Sequence, residues 1–221
     1  MGEALAQIRH GEKLDTVGLE NGYESASGFR EAFVRLFGRP PGKSRALHSV
    51  VVSWVESPLG PLLIGATDQG VCLVEFTSTN RIDMQLASLR THFRSAVVPG
   101  SHEFLDQLKG ELNEYFAGRL RRFQVPLVYP GTPFQVRVWQ GLLRIPYGTA
   151  WSYEQLAHVV DAPGAQRAVG HANGQNRIAI LIPCHRVVNK NGRLGGYGGG
   201  LWRKQFLLDL ERGHKGGGSL F

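Results

Sequence analysis

The stretch Ile178-Ala179-Ile180-Leu181-Ile182-Pro183-Cys184-His185-Arg186-Val187-Val188 constrains this chain more than any other. Five apolar residues without alternation read as a strand buried on both faces, and Pro183, which has no ladder donor, stops it. Cys184 therefore stands just past the end of a rigid element. Val187 and Val188, followed by Asn189-Lys190-Asn191-Gly192, read as a return strand and a tight turn that hold the segment from its other side. A thiol fixed in this way is a positioned nucleophile or a small core hydrophobe, and the tripeptide alone supports both.

A chain of 221 residues buries the core of one domain or of two small ones. No apolar run approaches the roughly 18 residues of a membrane helix. The start MGEALAQIRHGEKLD lacks the apolar core of a signal peptide, so the expectation is a cytoplasmic protein. Cys72 and Cys184 are too few for a disulfide framework or a zinc cluster, and Cys72 in GVCLVEF reads as packing inside a strand. The formal charge is +7 and is unevenly placed. Residues 1–45 carry 7 basic and 6 acidic side chains, 46–131 carry 7 and 8, and 132–221 carry 11 and 4. The surplus thus lies on the segment that holds Cys184, as the footprint of a polyanion or as a solvated basic surface.

Residues 1–45 read as helical: Leu5 and Ile8 on a first helix, Leu14 to Glu20 as a second, and a third from Ser25 with Phe29, Phe33 and Leu36 along one face. Gly38, Pro40, Pro41 and Gly42 end it. Two helices around Asn21-Gly22 make either a helix-turn-helix or an ordinary hairpin. From Ser49 the period becomes two in SVVVSWVE, PLLIGAT and VCLVEF, which predicts a three-stranded antiparallel sheet. Ser101 is expected to cap a helix that lays Phe104, Leu105, Leu108, Leu112 and Phe116 on that sheet. Arg119, Arg121 and Arg122 read as solvated surface.

From Thr132 the chain reads as mostly helical. Thr132-Pro133 opens a helix carrying Phe134, Val138 and Leu142, and Ser152-Tyr153-Glu154-Gln155 is a capping box for the next, with Leu156, Val159 and Val160 inward. In AQRAVGHANGQN a helix sets Arg167, Gly170, His171 and Gly174 on one nearly flat face, suited to another helix or to a narrow groove of DNA. Residues 214–221 read as a flexible tail.

Two resemblances sharpen these expectations. LDTVGLENGYESASGFREAFVRLFGRPPGKSR resembles the second helix-turn-helix of AraC-type regulators at Gly22-Tyr23, Ser25, Phe29, Phe33, Phe37-Gly38 and Pro41. PCHRV after its apolar run, with GTAWSYEQLA, RAVGHANGQN and GYGGGL at matching spacing, resembles the O6-alkylguanine-DNA alkyltransferases from about Ser49 to Gly213. Together they look like an Ada-type protein without its cysteine-rich front and its first helix-turn-helix. The resemblance implies an α/β sheet-plus-helix domain over 49–128 and a mostly α, winged-helix-like DNA-binding and active-site domain over 132–213, behind a short all-α segment at 1–45. It implies one irreversible transfer of an alkyl group from O6 of guanine, or O4 of thymine, in double-stranded DNA to Cys184. No cofactor, metal or membrane partner is implied, and the protein is expected to act as a monomer on the nucleoid.

Displacing guanine from an alkyl carbon needs a thiolate, whereas a cysteine at its ordinary pKa of about 8.5 is mostly protonated at neutral pH. The resemblance implies that His185 takes the proton through a bridging water, that Glu211 in LLDLER holds the other imidazole nitrogen, and that Asn176 braces the active-site turn. It implies that Tyr153 acts on the target nucleotide and that Lys204 protonates the departing guanine. Turning the damaged base out of the stack costs a few kcal/mol. Arg167 matches the arginine that fills the vacated space, with Tyr153, Ala168, Gly170 and His171 beside it on the DNA. Val187 and Gly198 match positions offering backbone groups to the flipped base, and Tyr197 forms a pocket wall. Gly198 stands where some relatives carry serine, which leaves only a backbone donor there. Rival readings are an Ada-like transcription regulator, an alkylated-DNA sensor, which would lack the cysteine, and a cysteine hydrolase, which would turn over repeatedly.

Overall fold

The computed structural model describes residues 4, 7–8, 12–37, 40–41 and 49–213. The three expected strands form as β1 (Val50–Val55), β2 (Leu62–Thr67) and β3 (Gly70–Phe76), paired antiparallel in sequence with Trp54 opposite Leu63 and Leu63 opposite Glu75, but β2 and β3 are buried on both faces rather than alternating. A fourth strand, β4 (Val97–Pro99), lies parallel to β1 at the edge, giving the order β3-β2-β1-β4. Alternation in the sequence marks only the first three. β4 has three residues and ends in proline, which an edge strand tolerates and which hides it from pattern reading.

The connection from β3 to β4 is α3 (Ile82–Phe93), also unforeseen, whose Leu89 packs with Val50, Leu63, Cys72 and Leu73 on one face of the sheet. Cys72 is fully buried there, and burial pushes its thiol up to about 12. On the other face lies α4 (Glu103–Phe116), burying Leu105, Leu108, Leu112 and Tyr115. Its cap is His102, which accepts from the Phe104 amide at 3.2 Å, rather than Ser101. An imidazole nitrogen reaches that amide as a short hydroxyl would.

Ahead of the sheet, α1 (Leu14–Glu20) and α2 (Ala26–Phe37) meet at Asn21-Gly22, where Gly22 takes φ +80°. Phe29 and Phe33 pack with Ala4, Ile8 and Val17 and against Val98 of β4. The segment therefore covers the edge of the sheet. Leu5, Gly38, Gly42 and the tail 214–221 lie outside the described residues, as do the side chains of Leu36 and Phe37.

The second half is built on two capping boxes, both complete. Thr132 with Gln135 opens α5 (Pro133–Leu143), and Ser152 with Gln155 opens α6 (Tyr153–Val159). α7 (Gln166–Gly174) packs on both, with Trp139 Nε1 donating to the Ala172 carbonyl at 2.9 Å. α8 (Leu201–Glu211) follows a glycine-rich loop.

Residues 178–182 are not a strand. Ile178 makes one isolated parallel bridge to Val74, and the chain then turns, with Ile180 at φ +72° and the Ile182 amide bonded to the Ile178 carbonyl at 3.0 Å. The run is apolar because it is wedged into the shared core of both halves, and an apolar run reports burial rather than extension. Cys184–Arg186 form a single 3₁₀ turn. Val187–Val188 (β6) then pair in parallel with Trp151–Ser152 (β5) and do not return onto 178–182. The expected turn at Asn189–Gly192 forms, Gly192 taking φ +79° and donating to the Asn189 carbonyl at 2.9 Å.

Candidate active site

Cys184 opens the 3₁₀ turn and is 6% exposed. Asn176, just past the end of α7, clamps the turn that carries it. Its Nδ2 donates to the Ile182 carbonyl at 2.9 Å and to Cys184 Sγ at 3.1 Å, while its Oδ1 accepts from the Ile178 amide at 3.0 Å. Burial pushes the Cys184 thiol up, opposed by the Asn176 hydrogen bond and by the positive charges of Lys204 and Arg81. A thiol so placed is protonated at rest and needs a base when it reacts.

The next residue, His185, is the candidate base. His185 is fully buried, its Nε2 is 2.8 Å from Glu211 Oε1, and its Nδ1 has no protein partner. A carboxylate can only accept, so the imidazole proton sits on Nε2 and the Nδ1 lone pair is free. Burial holds His185 below its ordinary pKa, hence neutral. Glu211 is kept ionised: burial alone would raise its pKa, but hydrogen bonds from His185 and Arg186 bring it far below the usual carboxylate range. Arg186 grips both oxygens, Nε to Oε2 at 2.8 Å and Nη2 to Oε1 at 2.9 Å, and anchors itself on the Ile145 carbonyl at 2.7 Å. Tyr115 and the Gly148 amide complete the carboxylate's shell.

Sγ faces a cavity of about 410 Å³ lined on one side by Tyr153, Gly170, Asn173, Tyr197 and Gly198. Tyr197 meets Phe76 edge-on at 6.2 Å, and its hydroxyl is buried without a protein partner. Tyr153 also lines a neighbouring groove with Arg167, Gly170, Asn189 and Lys190. Arg167, Ala168 and His171 are exposed on α7; of the residues expected at DNA, Tyr153 and Gly170 line both the cavity and the groove, Arg167 lines the groove, and Ala168 and His171 line neither. Lys204 is not in the lining. It is fully buried, and its Nζ donates to the carbonyls of Val187 at 2.6 Å and Gly195 at 3.2 Å, stitching the glycine-rich loop to β6. Burial lowers its pKa to about 8.

Part of the wall comes from the first half and was not read from sequence. Arg81, at the start of α3, donates to the Gly174 carbonyl at 3.1 Å and lies 3.5 Å from Glu75 Oε2. Glu75, buried in β3, also accepts from Gln85 and from the Phe76 amide. A Cβ on Gly198 would run into Arg81 Nη1, so the glycine is what admits the guanidinium. One signal was available, an acidic residue inside the apolar strand VCLVEF.

Residues 50–129 match the ribonuclease-like domain of 6-O-methylguanine DNA methyltransferase, and residues 133–213 match its DNA binding domain. The chain belongs to the 6-O-methylguanine DNA methyltransferase family. A methylated-DNA--protein-cysteine methyltransferase of Mycobacterium tuberculosis is 46% identical over 159 residues, spanning 72% of this chain and 90% of that protein. A constitutive one of Bacillus subtilis is 41% identical over 158 residues, 71% and 92% respectively. Among solved structures, Mycobacterium tuberculosis OGT in complex with DNA aligns with a TM-score of 0.65 at 42% identity, covering 75% of this chain and 94% of that one. In this methyltransferase the cavity is walled by both domains, Arg81 and Glu75 from the ribonuclease-like one and Cys184 with its turn from the DNA-binding one. Residues before 50 lie outside both matches.

Proposed function

We propose that this chain repairs O6-alkylguanine in double-stranded DNA by direct reversal, taking the alkyl group onto Cys184 once per molecule. The observation that carries this is the buried series Cys184, His185, Glu211, in which His185, the residue after the nucleophile on the same 3₁₀ turn, keeps Nδ1 free while its other nitrogen is fixed on an ionised carboxylate. In the proposed step the thiol proton passes through a water to His185 Nδ1. The thiolate attacks the alkyl carbon, an S–C bond forms as the C–O6 bond breaks, and the electron pair leaves with guanine, which is then protonated. Tyr153 lines the cavity with a hydroxyl that burial keeps protonated, and we assign it to the target nucleotide. Lys204 supports transfer by holding the loop that carries Tyr197 and Gly198 and by placing a cation near the thiolate.

Arg167 is assigned to the space left by the flipped base, with Ala168, Gly170 and His171 in the groove and the charge surplus of 132–221 on the phosphates. The backbone of Val187 and Gly198 and the ring of Tyr197 would receive the base. α5 to α7 with the β5–β6 pair is the part we read as winged-helix-like. Because Cys184 is present, the sensor reading loses its premise. Peptide mass after exposure to a methylated duplex tests the assignment: one methyl should replace one hydrogen on Cys184, and an unmodified Cys184 beside repaired DNA would overturn it.

A further inference from the structure

Tyr115 belongs neither to the nucleophile turn nor to the DNA-binding domain. It sits near the end of α4 in the ribonuclease-like domain, and its hydroxyl donates to Glu211 Oε1 at 2.7 Å. The same oxygen receives His185 Nε2 at 2.8 Å and Arg186 Nη2 at 2.9 Å. Tyr115 is buried, and its ring is packed by Phe116, Phe123 and Tyr147. Burial and the neighbouring Glu211 raise its pKa well above the usual value, so it remains a donor throughout the working range. Three donors on one carboxylate oxygen fix its direction and divide its charge.

We propose that Tyr115 is a positioning residue of the proton relay: by sharing Glu211 Oε1 with His185 it sets the orientation and the basicity of the imidazole, which makes the ribonuclease-like domain part of the active site. The proposal rests on the Cys184–His185–Glu211 relay described above. To accept a proton from Cys184, His185 must be neutral beforehand. A carboxylate whose charge is less divided would hold an imidazolium more tightly, and His185 would then be protonated too early. The charged and titratable groups around the pair are Arg186 on the same turn, Tyr115 on α4, Arg121 after it, Tyr147 in the loop after α5, Lys204 on α8 and Arg212 at its end. Among the described residues, only Tyr115 brings a donor from the other domain to this oxygen.

Tyr115→Phe removes the hydroxyl and keeps the packed ring. The single-turnover rate of methyl transfer from a methylated duplex to the full chain is measured between about pH 5 and 9, across the range in which a histidine titrates. The measurement compares the wild type with Tyr115→Phe, Glu211→Gln and Leu112→Ala, the last of which loosens the same helix at a buried position. The acid limb of Tyr115→Phe should move up by roughly half a unit to one unit, with a loss of about 3- to 10-fold on the acid side of the wild-type midpoint that is recovered at higher pH. Leu112→Ala should lower the melting temperature and leave the limb in place. An unmoved limb in Tyr115→Phe beside a moved one in Glu211→Gln overturns the role of Tyr115 and leaves the relay standing. Unmoved limbs in both overturn the relay itself, and the same shift in Leu112→Ala would assign the effect to helix packing.

Discussion

Gly198 shows what a single missing side chain does. Arg81 Nη1 occupies the place a Cβ would take, so Gly198→Ser should push aside the end of the Arg81 side chain and loosen its hold on the Gly174 carbonyl. The expected result is transfer slowed by about tenfold, the equivalent of roughly 1.4 kcal/mol, and restored in part by adding Arg81→Ala, which vacates the space. Full activity of Gly198→Ser, or no recovery in the double variant, would show that the two residues do not compete. At this scale, the residues themselves singled out Cys184 and the lone long cation Arg167, while the roles expected of His185, Asn176 and Tyr153 came through the resemblance. Glu211 was legible through the resemblance alone. Arg81, Glu75 and Tyr115 were not, because their partners lie some 90 or more positions away for Arg81 and Tyr115, and nothing local marks such pairs. Lys204 was expected through the resemblance to protonate the departing guanine, whereas it is buried with its donors on backbone carbonyls.

Among the elements, helices with chemical start signals were readable. Thr132/Gln135 and Ser152/Gln155 form both halves of their boxes, since a hydroxyl and an amide three residues apart satisfy two otherwise orphaned amides. The strand expected at 178–182 failed because its apolar residues follow a turn through the core, with backbone bonds made to β3 and to each other. On α7, Arg167 is the long cation of a face otherwise made of Gly170, His171 and Gly174, at the edge of the groove shared with Tyr153. Arg167→Ala should slow repair of a duplex far more than reaction with a free O6-substituted guanine, which needs no flipping. Equal losses on both substrates would mean that Arg167 supports the helix instead.

For the whole molecule, the two domains share one buried core and one cavity, while the described residues Ala4, Ile8, Val17, Phe29 and Phe33 pack on Val98 at the edge of the sheet. Deleting residues 1–47 should leave the transfer rate within a few-fold, an order-of-magnitude expectation for a segment remote from the cavity. It should also expose Val98, now fully buried, at about 1.5–3 kcal/mol, lowering Tm by roughly 3–12 °C. Unchanged Tm would mean that the cluster around Phe29 and Phe33 contributes nothing to the sheet. The charge surplus falls on the segment that matches the DNA binding domain, and taken alone it fits a polyanion or a solvated basic surface equally.

The central claim, that the chain is consumed by its own reaction, is tested most directly by titrating it with excess duplex carrying a labelled methyl group and counting label on protein against time. Label should rise in one burst to one methyl per chain, all of it on Cys184 and none on Cys72, and then stop. Continued loss of label from DNA after that point, or label that never reaches Cys184, would contradict it.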